Sequence, residues 1–321
     1  MAAARLIRMT DVAARLLYAL AAALTRLPWA WLLRAGDAIA ARGIRRDSRE
    51  SRVTRRNLEL AYPDLLPGER DLLHRAILRT TARQALETLR LWTRPHAENL
   101  ALIREHHGVE HFDAAIAAGR GVIVAAPHYG NWELLGQWLA ARTPLAILYK
   151  PPESAIGEAF LNRVRAAHAA PDTPERVTQV RADGVAVRQL WRLLKDGGVV
   201  GILPDQQPKA GDGEFAPFFG VQALTMTLLG RLAQRTGATV LLAWCERIDS
   251  HVGNAPVFAL HIEPVPPGIA DADPARGVVA LNAAVERIAR RDPAQYQWTY
   301  KRYSLRPPVV GEDNPYWPDC Y

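Results

Sequence analysis

A single histidine stands where an apolar run of the sequence gives way to an amphipathic one. The segment GVIVAAPHYGNWELLG, residues 121–136, places His128 after the apolar run and Glu133 five residues further on. Gly130 allows a tight turn between them, and Asn131 is a favoured helix N-cap, so Glu133 falls in the first turn of a helix. The helix dipole favours an ionised carboxylate there. An anion within reach of the imidazole can orient it and stabilise its protonated form, as a general base requires.

This pair of side chains is suited to removing a proton from a substrate hydroxyl. No nucleophilic side chain accompanies His128, so the deprotonated substrate oxygen would itself attack an activated acyl carbon. The spacing alone is a weak signal, because His-x4-Glu occurs by chance and a histidine at a strand end is often only a hydrogen-bonded turn residue. The surrounding pattern favours catalysis, since ligands of open α/β sheets bind beyond the carboxyl ends of strands.

The chain around this motif alternates short apolar runs with amphipathic segments. The apolar runs are continuous and rich in β-branched residues, as strands covered on both faces tend to be. Strands are predicted at 121–126, 144–149, 198–204, 238–245 and 258–265, and helices at 131–142, 155–170, 183–197, 224–237 and 275–291, with a further helical pattern over 70–118. This alternation predicts an α/β fold with a mostly parallel central sheet sandwiched by helices. The short connection near Val252 favours an antiparallel pairing of the last two strands.

An apolar segment near the N-terminus predicts contact with a membrane. Residues 16–33 read LLYALAAALTRLPWAWLL, in which Arg26 is the one charged side chain. A bilayer span needs roughly 20 apolar residues, and a central arginine is unfavourable there. A cleaved signal peptide and a soluble core helix are the alternatives. We favour a membrane-associated helix or a marginal single span, with Trp29 and Trp31 at headgroup depth.

Basic residues cluster directly after this segment. Residues 42–56 contain seven arginines and two acids, a net charge of +5 in a chain whose total is +7. A solvated helix face is the simpler interpretation, but beside an apolar helix the cluster also indicates attraction to anionic headgroups and a cytoplasmic domain after it. We therefore divide the chain into an N-terminal membrane-associated helical segment, 1–40, and a catalytic domain, 41–321.

The overall composition is that of a globular protein in a reducing compartment. Of the 321 residues, 49% are hydrophobic, which is enough for a substantial core and excludes wholesale disorder. The two cysteines, Cys245 and Cys320, form no disulfide framework or metal-binding pattern. A positive net charge favours anionic partners such as a membrane surface, a phosphorylated lipid, nucleic acid or an acidic protein.

Several blocks of the sequence resemble one enzyme family. APHYGNWE is similar to the His-x4-Asp/Glu block of the glycerolipid acyltransferase superfamily, and most similar to that of the bacterial lipid A late acyltransferases. Three further blocks agree with that family in order and spacing. Residues 202–225 resemble its Asp-Gln segment followed by Pro-Phe-Phe-Gly, and residues 295–312 resemble its C-terminal Trp-x-x-(His/Lys)-Arg-(Phe/Tyr) signature. Residues 55–65 resemble its N-terminal Arg-Asn-Leu block. Two departures are Tyr129, where Phe is common, and Tyr300-Lys301, in place of a frequent His-Arg pair.

The resemblance implies transfer of a fatty acyl chain from acyl carrier protein to a hydroxyl of a lipid A precursor. It implies that His128 is the base and Glu133 its orienting partner, at the cytoplasmic face of the inner membrane. The mechanism requires no metal or redox cofactor. Acyl-chain length and the acceptor position are left open.

Other residues are candidates for substrate binding. Asp205 and Gln206 follow a predicted strand and would lie near His128 if the strands are neighbours, with a structural turn equally favoured. An arginine near the thioester could stabilise an oxyanion or bind a phosphate, although each basic residue is more often a surface charge. The aromatic pair in Pro-Phe-Phe-Gly could line an acyl channel or only pack in a loop. The full set is Asn131, Lys150, Arg163, Arg181, Asp205, Gln206, Phe218, Phe219, Lys301 and Arg302.

Two other functions compete with this interpretation. The same pair could serve an acyltransferase acting on a glycerophospholipid or a mannosylated phosphoinositide with acyl-coenzyme A as donor. The arginine cluster would also suit a non-enzymatic protein that binds membranes. A nucleic-acid partner is not favoured, because the sequence lacks basic–aromatic interleaving and a recognisable DNA-binding helix pair.

Overall fold

The computed structural model describes residues 2–149, 154–166, 177–181, 184–248, 255–308, 311 and 313–321. The helices are α1 (Ala2–Leu24), α2 (Trp29–Arg45), α3 (Arg49–Ala61), α4 (Pro67–Leu91), α5 (His96–Leu100), α6 (Val109–Ala117), α7 (Trp132–Arg142), α8 (Ala155–Ala166), α9 (Gly184–Lys195), α10 (Leu228–Thr236) and α11 (Pro274–Ala289). The strands are β1 (Ile103–His107), β2 (Val122–Ala125), β3 (Leu145–Tyr149), β4 (Val177–Arg181), β5 (Val199–Ile202), β6 (Gly213–Phe218), β7 (Val221–Met226), β8 (Thr239–Ile248) and β9 (Val257–Pro264).

The main sheet has the order β1-β9-β8-β2-β5-β3-β4. β2 lies at its centre and pairs in parallel with β5 on one side and β8 on the other, whereas β8 and β9 are antiparallel. The predicted mostly parallel sheet flanked by helices is confirmed, and so is the antiparallel end. Because β2 and β5 are neighbours, the loops that follow them leave the same edge of the sheet side by side.

The centre of the sheet is buried on both faces, which explains the continuous apolar strands there. Side chains of a strand alternate between faces. On β2, Ile123 and Ala125 enter one core cluster while Val122 and Val124 enter the other. A strand of this kind has no polar face from which its orientation could be deduced.

The N-terminal segment differs from the single apolar helix that was predicted. Residues 16–33 do not form one helix, because α1 ends at Leu24 and α2 begins at Trp29, after Pro28. Proline suits a helix start and interrupts a helix interior, which accounts for the break. Among the described residues no single helix qualifies by length and hydropathy as a span; the two helices qualify only as a pair, bent by 113°. The domain boundary predicted at residue 40 falls inside α2 and stays a prediction.

Two other predictions from periodicity are wrong. The helical pattern over 70–118 contains a strand, β1, which pairs with β9 about 150 residues later along the chain. Residues 224–226, assigned to a helix, belong instead to β7, which forms an antiparallel hairpin with β6. In both cases the partner strand decides the conformation, and pairing overrides the weak local preference.

Candidate active site

The pairing of β2 with β5 brings two polar side chains together. Ala125 and Ile202, the last residues of these strands, are register partners, and Ala126 continues the ladder by donating to the Ile202 carbonyl at 2.9 Å. His128 and Asp205 each follow three residues after their strand. Equal offsets from paired strand ends place the two side chains side by side.

Asp205 holds His128 through two hydrogen bonds. One carboxylate oxygen lies 2.7 Å from imidazole Nδ1, and the other accepts from the His128 backbone N–H at 2.8 Å. His128 is 8% exposed and Asp205 4%. Burial alone would raise the pKa of Asp205, but the adjacent imidazole, its hydrogen bonds and Arg302 hold that pKa below its usual value. The carboxylate therefore stays ionised and accepts a hydrogen bond from the Nδ1–H group.

The opposite ring nitrogen then has its lone pair available. With Nδ1 donating to Asp205, Nε2 of His128 is the basic atom. The Gln206 amide nitrogen lies 3.2 Å from Nε2 and also donates to Gln297 Oε1 at 3.2 Å. Trp132 packs edge-on against the imidazole at 4.9 Å. This is the tautomer that a general base needs, with an amide group at the position where a substrate hydroxyl would bind.

Glu133 lies on a different side of the site. Its carboxylate accepts from the Trp92 indole N–H at 3.0 Å, and Trp92 in turn packs against Phe160. The orienting contact with the imidazole that was predicted for Glu133 is made by Asp205 instead. The reason is topological: Glu133 follows the Asn131 cap on the first turn of α7 and faces the end of α4, while the β2–β5 pairing sets Asp205 beside the ring.

The backbone of the His128–Asn131 loop is held from several elements. Gln297 N–H donates to the His128 carbonyl at 3.0 Å, and Gln84 Nε2 donates to the Gly130 carbonyl at 2.7 Å. Gly130 N–H donates to Gln295 O at 3.1 Å, and Asn131 N–H donates to Cys245 O at 2.7 Å. Each partner lies far along the chain, so the loop conformation depends on the assembled fold.

An ionic cluster around the buried Glu246 anchors Tyr129 within the same loop. Its hydroxyl donates to Glu246 at 2.6 Å, and Arg291 donates to the second Glu246 oxygen at 2.9 Å, beside His261 at 3.3 Å. Burial alone would raise the pKa of Glu246, but hydrogen bonds from His261, Arg291 and Tyr129 lower it to about 2. Tyr129 stands where the family that the sequence resembles commonly has Phe. The structure gives a reason for the tyrosine, because its hydroxyl has a charged acceptor.

Asn131 combines a structural role with an unused donor. Its side-chain oxygen caps α7 by accepting from Leu134 N–H at 3.0 Å, which fixes the orientation of the amide. Its Nδ2 is buried and has no hydrogen-bond partner among the described residues. A buried donor without a partner costs free energy and is rare in proteins, so it is a candidate contact for substrate.

Three other predicted binding residues pack inside the fold. Phe218 and Phe219 are buried in an aromatic cluster with Tyr62, Tyr296, Trp298 and Tyr303. Arg302 is 4% exposed, and its guanidinium binds Leu224 O and Thr225 Oγ1. These contacts are internal to the fold, and a substrate contact of Arg302 stays a prediction.

The other cations are placed elsewhere or not described. Lys301 lies over the Tyr321 ring, and Arg163 on α8 lies 5.7 Å from the Tyr18 ring of α1. Arg181 ends β4, with its side chain outside the described part of the chain, as is all of Lys150. Substrate contacts of these four residues stay predictions.

Sequence reasoning did not identify Gln84, Trp92, Glu246, Gln295 or Gln297 as part of this site. The last two lie in the C-terminal block that was recognised as a motif, so their involvement could have been suspected. Gln84 and Trp92 lie in a helical pattern like many others, and Glu246 ends an apolar run. No local signal distinguishes them.

Comparison with known proteins finds relatives that match most of the chain. The family model described as bacterial lipid A biosynthesis acyltransferase matches residues 2–304. The lipid A biosynthesis palmitoleoyltransferase of Escherichia coli (strain K12) is 28% identical over 298 residues, 91% of this chain and 90% of the relative. The lipid A biosynthesis lauroyltransferase of the same organism is 26% identical over 287 residues, 89% of each chain.

A shorter match is to an acyltransferase whose name gives a different acceptor lipid. The phosphatidylinositol mannoside acyltransferase of Mycobacterium tuberculosis (strain CDC 1551 / Oshkosh) is 42% identical over 73 residues, 22% of this chain and 23% of the relative. The local identity is higher than for the enzymes above, but it covers a smaller part of the fold.

Proposed function

The chain belongs to the bacterial lipid A biosynthesis acyltransferase family, and from that premise we propose that it transfers a fatty acyl chain from acyl carrier protein to a hydroxyl of a lipid A precursor of the Kdo2-lipid IVA type. The observation that carries the chemistry is the hydrogen bond of 2.7 Å between His128 Nδ1 and Asp205. It leaves Nε2 as the base and keeps an ionised carboxylate against the ring.

The reaction proceeds by direct attack of the acceptor. Nε2 of His128 accepts the proton as the acceptor oxygen bonds to the thioester carbonyl carbon, and Asp205 stabilises the imidazolium. The C–S bond then breaks, the carbonyl re-forms, and the imidazolium returns its proton to the departing thiol. Gln206 gives up its contact with Nε2 to the acceptor hydroxyl and retains Gln297 as a partner.

Two further groups of the site have roles in this proposal. Asn131 Nδ2 is a buried donor that has no partner in the described part of the chain, and it would bind the substrate or the developing oxyanion. Glu133 lies one residue beyond Trp132, which packs on the imidazole, and its carboxylate fixes Trp92 as part of the wall of the site. A direct catalytic role for Glu133 stays a prediction.

The proposal includes a location at the cytoplasmic face of the inner membrane. Its support is the arginine cluster that follows the apolar N-terminal helices, together with a substrate that is itself a membrane lipid. A positive surface also suits acyl carrier protein if that partner is acidic.

A transfer assay tests the function. Lauroyl, myristoyl and palmitoyl carrier proteins, and separately the corresponding coenzyme A esters, are offered to a tetra-acylated lipid A precursor, and product masses are measured. We expect an added acyl chain with the carrier-protein donor, and a rate lower by about 10²–10⁴-fold for His128→Ala. The matched control is His111→Ala on α6. Equal rates for both variants would contradict the proposed base.

The alternative acceptor is tested in the same assay. The 73-residue match to a phosphatidylinositol mannoside acyltransferase favours including that glycolipid and a lysophospholipid as acceptors. Transfer to these from acyl-coenzyme A, with none to the lipid A precursor, would support the second function. Absence of transfer to every acceptor, with membrane binding retained, would instead support a non-enzymatic protein.

A further inference from the structure

Two neighbouring helices, α9 and α10, expose cations and contain no carboxylate. α9 contains Arg188, Arg192 and Lys195, and α10 contains Arg231 and Arg235. All five side chains are exposed, and neither helix contains an aspartate or a glutamate. Charges of one sign on adjacent elements create a field that attracts a partner of the opposite sign.

Three of these arginines are not neutralised by neighbouring carboxylates. Arg188, Arg192 and Arg235 form no ion pair with an acid of the described residues. The acids closest to α9 in the sequence are Asp183, which lies outside the described residues, and Asp196, directly after the end of the helix. An arginine without an internal acid can give a bidentate hydrogen bond to a carboxylate of another molecule.

A partly exposed tryptophan lies on the side of α9 that faces α10. Val187, Trp191 and Lys195 follow one another at intervals of four residues and so share one side of the helix. Lys195 Nζ donates to the Thr236 carbonyl of α10 at 3.2 Å, so this side faces α10. Val187 is 38% exposed and Trp191 41%. Tryptophan and arginine are the residues that contribute most at protein–protein interfaces.

The two helices lie on either side of the strand that leads to His128. α9 leads into β5 and α10 leads into β8, and β2 lies between these two strands in the sheet. Ile123 of β2, Leu190 of α9 and Leu232 of α10 belong to one core cluster, so both helices cover the same face of the sheet. The boundary between them therefore follows β2, the strand that ends just before His128.

Both helices begin towards the edge of the sheet that carries the active site. β4, β5 and β8 all run in the direction of β2, so the helices before β5 and β8 end at the opposite edge. Arg188, on the second turn of α9, is accordingly nearer to the edge with His128 than Lys195 on the last turn. A donor bound here is at the side of the sheet from which a flexible arm can carry its thioester to that edge.

We propose that these helices form a docking face for the acyl carrier protein that donates the acyl chain. The docking face consists of Val187, Arg188, Trp191, Arg192 and Arg235. Carboxylates on a helix of the carrier protein bind the three arginines, and apolar side chains of the same helix cover Trp191. This deepens the proposed function, on which it rests for the identity of the donor.

An anionic membrane surface is the other partner that cations of this kind attract. The docking face has one tryptophan and one valine between its arginines, which is little apolar area to embed among lipids. Its charges are separated by about one helical turn along α9, a spacing that carboxylates one turn apart on a second helix can match. We therefore favour a protein partner.

A binding measurement with the full chain in a neutral detergent tests the docking face. A fluorescently labelled lauroyl carrier protein is titrated with the enzyme, and Kd is obtained from the anisotropy. We expect Arg188→Glu combined with Arg192→Glu to raise Kd at least about tenfold, because attraction is replaced by repulsion. Added salt should weaken binding of the wild-type protein more than that of this variant. An unchanged Kd would overturn the proposal.

Arg104→Glu combined with Arg120→Glu is the matched control. Both arginines are exposed, the first on the edge strand β1 and the second between α6 and β2, and the change in net charge is the same. We expect this variant to bind with the wild-type Kd. Equal weakening by the two double variants would show that only the net charge matters and would overturn the docking face.

A charge exchange tests direct contact between the two proteins. Two acids on the acidic helix of the carrier protein are replaced by lysine. This carrier should bind the Arg188→Glu, Arg192→Glu variant more tightly than it binds the wild-type enzyme, because the pairs are restored with opposite signs. Equal binding to both enzymes would overturn the pairing. A variant that retains carrier binding but loses flotation with phosphatidylglycerol vesicles would assign the face to the membrane instead.

The transfer assay separates this proposal from the proposed function. The Arg188→Glu, Arg192→Glu variant should raise KM for lauroyl carrier protein and leave kcat unchanged, because neither side chain belongs to the active site. Carrier binding at the docking face without any acyl transfer would contradict the function and leave the docking face standing. Transfer from coenzyme A esters by a protein that does not bind the carrier would overturn the docking face and leave acyl transfer standing.

Discussion

At the scale of single residues, the imidazole of His128 depends on Asp205 for its tautomer. We expect Asp205→Asn to lower kcat by about 10²–10⁴-fold, because an amide can donate to Nδ1 and favour the wrong tautomer. The measurement is kcat in the transfer assay.

Glu133→Gln is the control that separates the two carboxylates. Glu133 binds Trp92 at 3.0 Å, so its replacement can lower the rate through that wall of the site. We expect the loss of kcat to be smaller than that of Asp205→Asn. A larger loss of kcat for Glu133→Gln than for Asp205→Asn would reassign the orienting carboxylate to Glu133.

Tyr129 illustrates how one hydroxyl group stabilises the loop. Removing it in Tyr129→Phe deletes the hydrogen bond of 2.6 Å to Glu246. We expect the free energy of unfolding to fall by about 1.5–3 kcal/mol, the usual range for a hydrogen bond to a charged group. Urea denaturation measures it. Tyr321→Phe, at a residue 61% exposed, should change the stability by less than about 0.5 kcal/mol. Equal effects of the two variants would contradict this account.

The acid side of the stability curve should report on Glu246. Its pKa falls from 4.5 to about 2 on folding, so its contribution is fully present above pH 4.5 and is lost as pH falls towards 2. Glu246→Gln has no such titration. We expect the wild-type protein to lose its stability advantage over this variant across that interval, measured by denaturation at a series of pH values. A constant difference between the two would refute the assignment.

At the scale of elements, the turn between β2 and α7 requires a glycine. Gly130 has φ of +61°, and a Cβ there would lie 2.1 Å from the Cys245 carbonyl oxygen. We expect Gly130→Ala to destabilise the protein by about 3 kcal/mol or more and to abolish transfer, through backbone strain and overlap. Thermal unfolding and the transfer assay measure the two effects.

Gly136→Ala is the matched control within the same motif. Gly136 lies inside α7, and nothing stands within 4 Å of an added Cβ. Alanine is the better helix former by about 0.8–1 kcal/mol, so this variant should be slightly more stable than wild type. Destabilisation as large as that of Gly130→Ala would show that the turn geometry is not the cause.

At the scale of the whole molecule, Asn57 connects the N-terminal helices to the C-terminal segment of the chain. It is fully buried on α3 and donates to the carbonyls of Trp298 at 2.6 Å and Tyr300 at 2.8 Å. Tyr300 in turn binds the backbone of Gln207, two residues after Asp205. We expect Asn57→Ala to lower the free energy of unfolding by about 2–4 kcal/mol, because buried carbonyls lose their donor. Chemical denaturation measures the change.

Asn162→Ala serves as the control for that prediction. Asn162 is an exposed residue of α8, and its replacement should alter stability by less than about 0.5 kcal/mol. If Asn57→Ala lowers the free energy of unfolding no more than Asn162→Ala does, the hydrogen bonds between α3 and the C-terminal segment contribute little to stability.

Local sequence determined the elements that carry the chemistry. The strand before His128, the turn at Gly130, the cap at Asn131 and the helix after it all follow from neighbouring residues, because turns and caps depend on interactions within a few positions. The mostly parallel sheet followed equally from the alternation of strands and helices. The resemblance of four ordered blocks indicated the family.

The tertiary structure alone decided which groups surround the imidazole. Asp205 lies 77 residues from His128, and only the pairing of β2 with β5 makes it the hydrogen-bond partner of Nδ1 in place of Glu133. Gln84 and Gln297 reach the same loop from opposite parts of the chain. Similarly, the sequence of residues 16–33 does not show which side of this segment faces the fold. Contacts with distant residues decide it, such as the hydrogen bond from Arg90 of α4 to the Leu27 carbonyl. Such contacts depend on which distant segments pack together, which local periodicity does not encode.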